Sequence, residues 1–125
     1  MLSTGVDLVE IGRFARALNR WGEALLARLF TPAERVQCRG RVSSLAARFA
    51  AKEAVSKALG TGIGAVGWQD IEILADERGA PRVVLHRAAA RRAQALGLRQ
   101  WSLSLSHTET CAVAFVVALG EDGPA

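Results

Sequence analysis

Asp7 and Glu53 are two carboxylates whose settings in the sequence call for an explanation. Asp7 lies between Val6 and Leu8 in an alternating stretch near the N-terminus. Aspartate is depleted from strands, because a carboxylate drawn out of water must find a cation or strong donors. With 14 arginines in the chain, an ordinary salt bridge would satisfy it. Glu53 sits among Ala, Phe, Val and Leu, four residues before Lys57, so the two share one helical face. As an exposed ion pair they would contribute only about 0.2–0.5 kcal/mol. A carboxylate beside a lysine, close to a helix end and a glycine-rich loop, suits a metal ion next to a phosphate. It suits a structural pair equally well. Arg48 and Lys52 form a second basic pair one step round the same helix.

The glycine-rich stretch Gly60-Thr61-Gly62-Ile63-Gly64 follows that helix. It lacks the Gly-Lys-Ser/Thr ending of a P-loop and does not open a helix after a strand, which excludes the common nucleotide motifs. What it can offer is close backbone approach and free amides for an anion. Ser106-His107 ends a serine-alternating segment, and a histidine at a strand end can donate to a phosphate or shuttle a proton. No Gly-x-Ser-x-Gly elbow accompanies it, so a serine hydrolase is a poor fit. Cys38 and Cys111 are far apart, without a CxxC pair or a histidine cluster, so a zinc site has no ligand set.

The elements that must carry these residues follow from periodicity. Residues 2–9 alternate as a strand, with Leu2, Thr4, Val6 and Leu8 on one face and Ser3, Gly5, Asp7 and Val9 on the other. Ile11, Phe14, Ala15 and Leu18 recur at helical spacing with Arg13, Arg16 and Arg20 on another face, and a second helical stretch runs through Leu25, Leu26 and Leu29. Thr31-Pro32-Ala33-Glu34 combines a capping box with proline at the first helical position. Ser43 or Ser44 is expected to cap a longer helix that runs to about Leu59, where Gly60 stops it. Residues 70–75 and 81–86 read as strands joined by the turn Asp76–Ala80, and Arg87 to Leu96 as a helix ended by Gly97. Trp101 to Ser106 alternates. Cys111 to Leu119 is continuously apolar, as a strand buried on both faces would be, and Gly120 to Ala125 reads as a frayed tail. The order implies one α+β domain over 1–125, compact, with a mainly antiparallel sheet packed with helices.

At 125 residues the chain can bury one core, and its 50% hydrophobic and 22% charged composition is that of a globular protein. No apolar run approaches the roughly 20 residues that cross a bilayer, and the N-terminus lacks a signal-peptide pattern. Cytoplasmic localisation is the expectation. A net charge of +4 favours acidic partners, whether nucleic acid, a phosphorylated cofactor or an acidic protein.

Three segments in order, Gly5-Val6-Asp7-Leu8-Val9-Glu10-Ile11, Arg48-Phe49-Ala50-Ala51-Lys52-Glu53-Ala54 with Lys57-Ala58-Leu59-Gly60-Thr61-Gly62, and Ser104-Leu105-Ser106-His107 before an apolar strand, resemble the holo-acyl-carrier-protein synthase family. These are the short, single-domain phosphopantetheinyl transferases. The resemblance spans nearly the whole chain and implies transfer of 4'-phosphopantetheine from coenzyme A to a serine of apo acyl carrier protein, with release of 3',5'-ADP, for fatty-acid or polyketide synthesis. It further implies Mg²⁺ on Asp7 and Glu53, Lys57 on phosphate charge, and coenzyme A contacts from Arg48, Gly60, Thr61, Gly62, Ser106 and His107. Arg13, Arg20 and Arg28 would meet the acidic carrier protein, where opposite charge raises the encounter rate. The family resemblance also implies a homotrimer with each site between neighbouring subunits. His86 has no role in that pattern. The alternatives are a basic module without catalysis that binds nucleic acid, or a scaffold that holds a carrier protein. The first lacks the aromatic interleaving that single-strand binding uses, since Trp21, Trp68 and Trp101 are scattered and tyrosine is absent.

Overall fold

In the computed structural model, which describes residues 1–120, a three-stranded antiparallel sheet carries the first and the last described strands. β1 (Leu2–Glu10) and β4 (Leu98–His107) flank β5 (Cys111–Gly120), giving the order β1-β5-β4. β2 (Ile71–Ala75) and β3 (Pro81–Leu85) form a separate antiparallel pair, closed by the turn from Asp76 to Ala80. The α+β, mainly antiparallel expectation holds.

Helix α3 (Val42–Ala58) lies on the inner face of the three-stranded sheet. Its sequence explains how near it can come: Ala46, Ala47, Ala50, Ala51, Ala54 and Ala58 are all buried. Opposite them β1 presents Gly5, where a Cβ would stand 1.8 Å from the Ala54 carbonyl oxygen. Backbone therefore meets backbone, and Ser3 Oγ donates to the Ala58 carbonyl at 2.5 Å on the same line.

This packing sets β1 the other way out from an ordinary amphipathic strand. Ser3, Gly5, Asp7 and Val9 face α3, while Leu2, Val6 and Leu8 are exposed, Leu8 by 65%. β5 differs from expectation as well. It is not buried on both faces: Ala112, Ala114, Val116 and Ala118 are inaccessible, whereas Phe115 and Leu119 on the other face are each 47% exposed. The outer face of the β1–β5 pair is thus apolar and open, with Val6 directly opposite Phe115.

The remaining elements follow their caps. α1 (Ile11–Leu29) joins the two anticipated helical stretches across a break at Gly22, whose φ of 54° and ψ of −132° suit glycine. α2 (Pro32–Cys38) begins with the Thr31–Glu34 capping box. The expected Ser43 or Ser44 cap is not used. Arg39 and Gly40 take left-handed conformations, α3 then starts directly from Arg41, and both serines lie inside the helix. α4 (Arg87–Leu96) ends at Gly97 with φ 74°. Gly120, expected to fray, donates to the Met1 carbonyl and closes the sheet; residues 121–125 of the anticipated tail lie outside the described residues. No described helix is long and apolar enough to cross a membrane.

Candidate active site

The contact between β1 and α3 determines where the charged side chains fall. Ser3 meets Ala58 and Gly5 meets Ala54, so Asp7, the next inward residue, lands beside the edge of α3 that carries Glu53 and Lys57. Lys57 Nζ is 3.0 Å from Asp7 Oδ1 and donates to the Val6 carbonyl at 3.0 Å. The cation that satisfies Asp7 is this lysine rather than an arginine. The Asp7 side chain is 18% exposed and that of Lys57 52%.

Asp7 and Glu53 line one cavity of about 420 Å³, with Val9, Phe14, Ala17 and Phe49 as its apolar wall and Glu10 and Arg13 on its rim. Burial holds the Glu53 carboxyl above the ordinary carboxylate range. The negative charge of Asp7 pushes the same way and Lys57 opposes both. A carboxylate kept from ionising by burial and by a neighbouring carboxylate marks a cleft that favours a cation. No cluster of three or more His, Cys, Asp or Glu that could hold a metal exists among the described residues. A hard cation that takes one or two carboxylates and completes its shell with water and phosphate oxygens matches this donor set; zinc does not.

Arg48 and Lys52, the second basic pair, are both turned into the protein. Lys52 Nζ is wholly buried and donates to Glu34 Oε1 at 2.7 Å, to the Trp68 carbonyl at 2.9 Å and to the Ile71 carbonyl at 2.6 Å. Glu34 also accepts from the Thr31 and Ile73 amides, so the pair is fully hydrogen-bonded. Arg48 donates to the Ile73 carbonyl, to Cys38 Sγ and to Gln37 Oε1 at 2.7–2.8 Å. Spacing alone could not separate Lys57, half exposed beside Asp7, from these two.

The glycine loop also differs from expectation. The amides of Gly60, Thr61 and Gly62 are not free: they donate to the carbonyls of Lys57 and Ser56 and finish α3. Thr61 Oγ1 is the buried side-chain oxygen or nitrogen without a hydrogen-bond partner among the described residues. His107 and Ser106 lie on β4, at the opposite edge of the sheet from β1. His107 borders a second, larger cavity of about 800 Å³, together with Arg39, Arg41, Ser43, Ser44 and the side of Arg48. Sequence reasoning passed over Arg39 and Arg41. The Arg39-Gly40-Arg41 run was the signal, basic residues around a turn. Of the anticipated site residues, Asp7, Glu53 and Arg13 line a carboxylate cleft at one sheet edge, His107 and Arg48 border the basic cavity at the other, and Gly60, Thr61, Gly62 and Ser106 line neither. Arg20 is exposed on α1 with its guanidinium 4.9 Å from the Trp21 ring centroid, and Arg28 is exposed beyond the Gly22 break.

Residues 3–116 match the 4'-phosphopantetheinyl transferase superfamily, and the chain belongs to it. Its relatives are narrower in kind. The chain is 50% identical to a holo-acyl-carrier-protein synthase of Herpetosiphon aurantiacus, over 96% of this chain and 100% of that one. It is 52% identical to the holo-acyl-carrier-protein synthase of Moorella thermoacetica, over 97% and 94%. Among solved structures, the Helicobacter pylori holo-acyl-carrier-protein synthase in complex with coenzyme A superimposes with a TM-score of 0.85 at 35% identity, covering 93% of this chain and 99% of that chain. The Neisseria meningitidis synthase gives 0.85 at 40%, covering 94% and 97%.

Proposed function

We propose that this chain moves 4'-phosphopantetheine from coenzyme A to the serine hydroxyl of an apo acyl carrier protein, releasing 3',5'-ADP, with Mg²⁺ held by Asp7 and Glu53. The observation that carries it is that Asp7 and Glu53, from a strand and a helix distant in sequence, line one cleft, with Lys57 paired to Asp7 beside it. When bound, the ion supplies electrostatic stabilisation of charge on the pyrophosphate. Asp7 and Glu53 provide its two protein oxygens. Lys57 offers an ammonium to phosphate oxygens, and Phe14, Phe49 and Val9 restrict water. The nucleophile belongs to the carrier, which accounts for a transferase without a nucleophile elbow of its own.

The basic cavity with Arg39, Arg41 and His107 suits the phosphorylated, adenylate end of coenzyme A. It lies across the sheet from the carboxylates, and the open apolar face of β1 and β5 offers a surface for a neighbouring subunit. A homotrimer with each active site between subunits would join the cavity of one chain to the cleft of the next. Arg13, Arg20 and Arg28 supply the basic surface for an acidic carrier. Of the arginines on α4 that a nucleic-acid module could use, Arg87 pairs with Asp70 and Arg92 donates to the Leu59 carbonyl. Fatty-acid synthesis in the cytoplasm is the proposed setting.

The test is incubation with apo acyl carrier protein, coenzyme A and Mg²⁺, read by intact mass of the carrier. A gain of one phosphopantetheine is expected, lost in Asp7→Asn and Glu53→Gln without unfolding. No gain with several apo carriers would count against the transferase; near-normal gain in both variants would remove the metal assignment alone.

A further inference from the structure

The position of Lys57 bears on more than phosphate binding. Its ammonium lies 3.0 Å from Asp7 Oδ1 and 3.0 Å from the Val6 carbonyl oxygen, so it already occupies an oxygen-lined place beside a carboxylate assigned to the cation. Its side chain is half exposed, on a stem long enough to move the charge several ångströms without displacing α3. Asp7, Glu53 and Lys57 sum to a charge of −1; without the ammonium the cleft would hold −2, and Glu53 would face Asp7 uncompensated.

We infer that Lys57 stands in for the divalent cation in the free chain and must leave Asp7 for the cation to enter, so that metal and pyrophosphate load together. This deepens the assignment of Asp7 and Glu53 as ligands and rests on it. A divalent ion entering the free cleft meets a positive charge already held by the Val6 carbonyl and Asp7. Once a pyrophosphate is present, its oxygens accept the ammonium and supply the ligands that the two carboxylates leave open. The ammonium moves and keeps its proton. Like-charge repulsion in the free chain thus turns into mutual attraction to one polyanion, and thermodynamic reciprocity requires coenzyme A and metal to tighten each other equally.

The experiment measures Mn²⁺ binding directly, by the loss of the free-ion electron paramagnetic resonance signal, with and without coenzyme A and with no carrier protein. The unmutated chain should bind Mn²⁺ weakly alone and more tightly with coenzyme A. Lys57→Met should bind Mn²⁺ about tenfold more tightly in the free state, the scale of repulsion between a divalent ion and an ammonium about 6 Å apart in a water-like dielectric. Its gain from coenzyme A should shrink, while Lys57→Arg, which keeps the charge, should stay weak alone. If Lys57→Met does not fold by circular dichroism, Lys57→Gln takes its place. Free-state affinity unchanged by removing the charge overturns the inference while leaving the ligand assignment intact. Binding that is equally strong in Asp7→Asn, or absent even with coenzyme A, overturns both.

Discussion

Replacing Lys52 by methionine should destabilise this protein severely while leaving the chemistry of the folded molecule nearly intact. Methionine fills much the same volume, so the change is chiefly one of charge and hydrogen bonding. It strips Glu34, a carboxylate with no solvent exposure, of its ion-pair partner, and it removes the donor to the Trp68 and Ile71 carbonyls. Breaking a buried pair from one side costs about 3–5 kcal/mol. For a domain of this length each kcal/mol moves the melting temperature by about 3–5 °C, so a fall of roughly 10–20 °C is expected in thermal melts followed by circular dichroism. The double variant Lys52→Met with Glu34→Gln should recover at least half of that loss. It removes the stranded charge and keeps an amide oxygen to accept from the Thr31 or Ile73 amide. Transfer rate per folded molecule, measured below both melting points, should stay near the unmutated value, unlike Lys57→Met. A loss under about 1 kcal/mol, a double variant no more stable than the single, or a lysine-specific loss of turnover at full folding would refute a purely structural pair.

Gly5→Ala should be strongly destabilising and lower transfer, because the new Cβ would have to displace the Ala54 backbone at 1.8 Å; melting temperature and the mass assay check both effects. For the proposed homotrimer, Phe115→Glu, on the open outer face of β5, should leave the secondary structure unchanged and give the mass of one chain by light scattering. Glu53→Gln should raise the melting temperature at pH 7. Burial, then Asp7, hold its carboxyl above the unfolded value, so the charged form is disfavoured in the folded state. That cost is absent below the unfolded carboxylate range, grows as pH rises through the raised value, and is full above it. The gain in Glu53→Gln should therefore vanish in acid, which melts across a pH series would reveal.

Caps and turns were the most legible part of the sequence, because they depend on local chemistry. Thr31 to Glu34, Gly60, Gly97 and the Asp76–Ala80 turn all stand where residue types put them. Faces were less legible. Alternation groups Leu2, Val6 and Leu8 correctly but does not say which face the protein covers, and here the small and polar face is inside. The same ambiguity made the apolar run of β5 look buried on both sides, when alanines line one face and Phe115 the other. Within the candidate site, spacing placed Glu53 beside Lys57, but their meeting with Asp7 is a tertiary contact that only the family pattern implied. Neighbours on α3 fared differently for a geometric reason. Lys52 is one residue from Glu53 yet about 100° round the helix, and that turn separates an interior ion pair from the cleft. The loop amides were misread because a glycine that ends a helix uses them to satisfy the helix carbonyls first.

The crossing of Gly5 over Ala54 gives the spacing of Asp7 and Glu53 an unusual kind of gauge. Where side chains separate two elements, a change of one methyl group or a rotamer can widen or narrow the gap. Here the gap is set by the thickness of two main chains in direct contact, held close by Gly5 and the buried alanines of α3. Sequence can therefore drift across most of the outer surface while the distance between the two carboxylate-bearing backbones stays calibrated, and the single glycine acts as the stop against which it is measured.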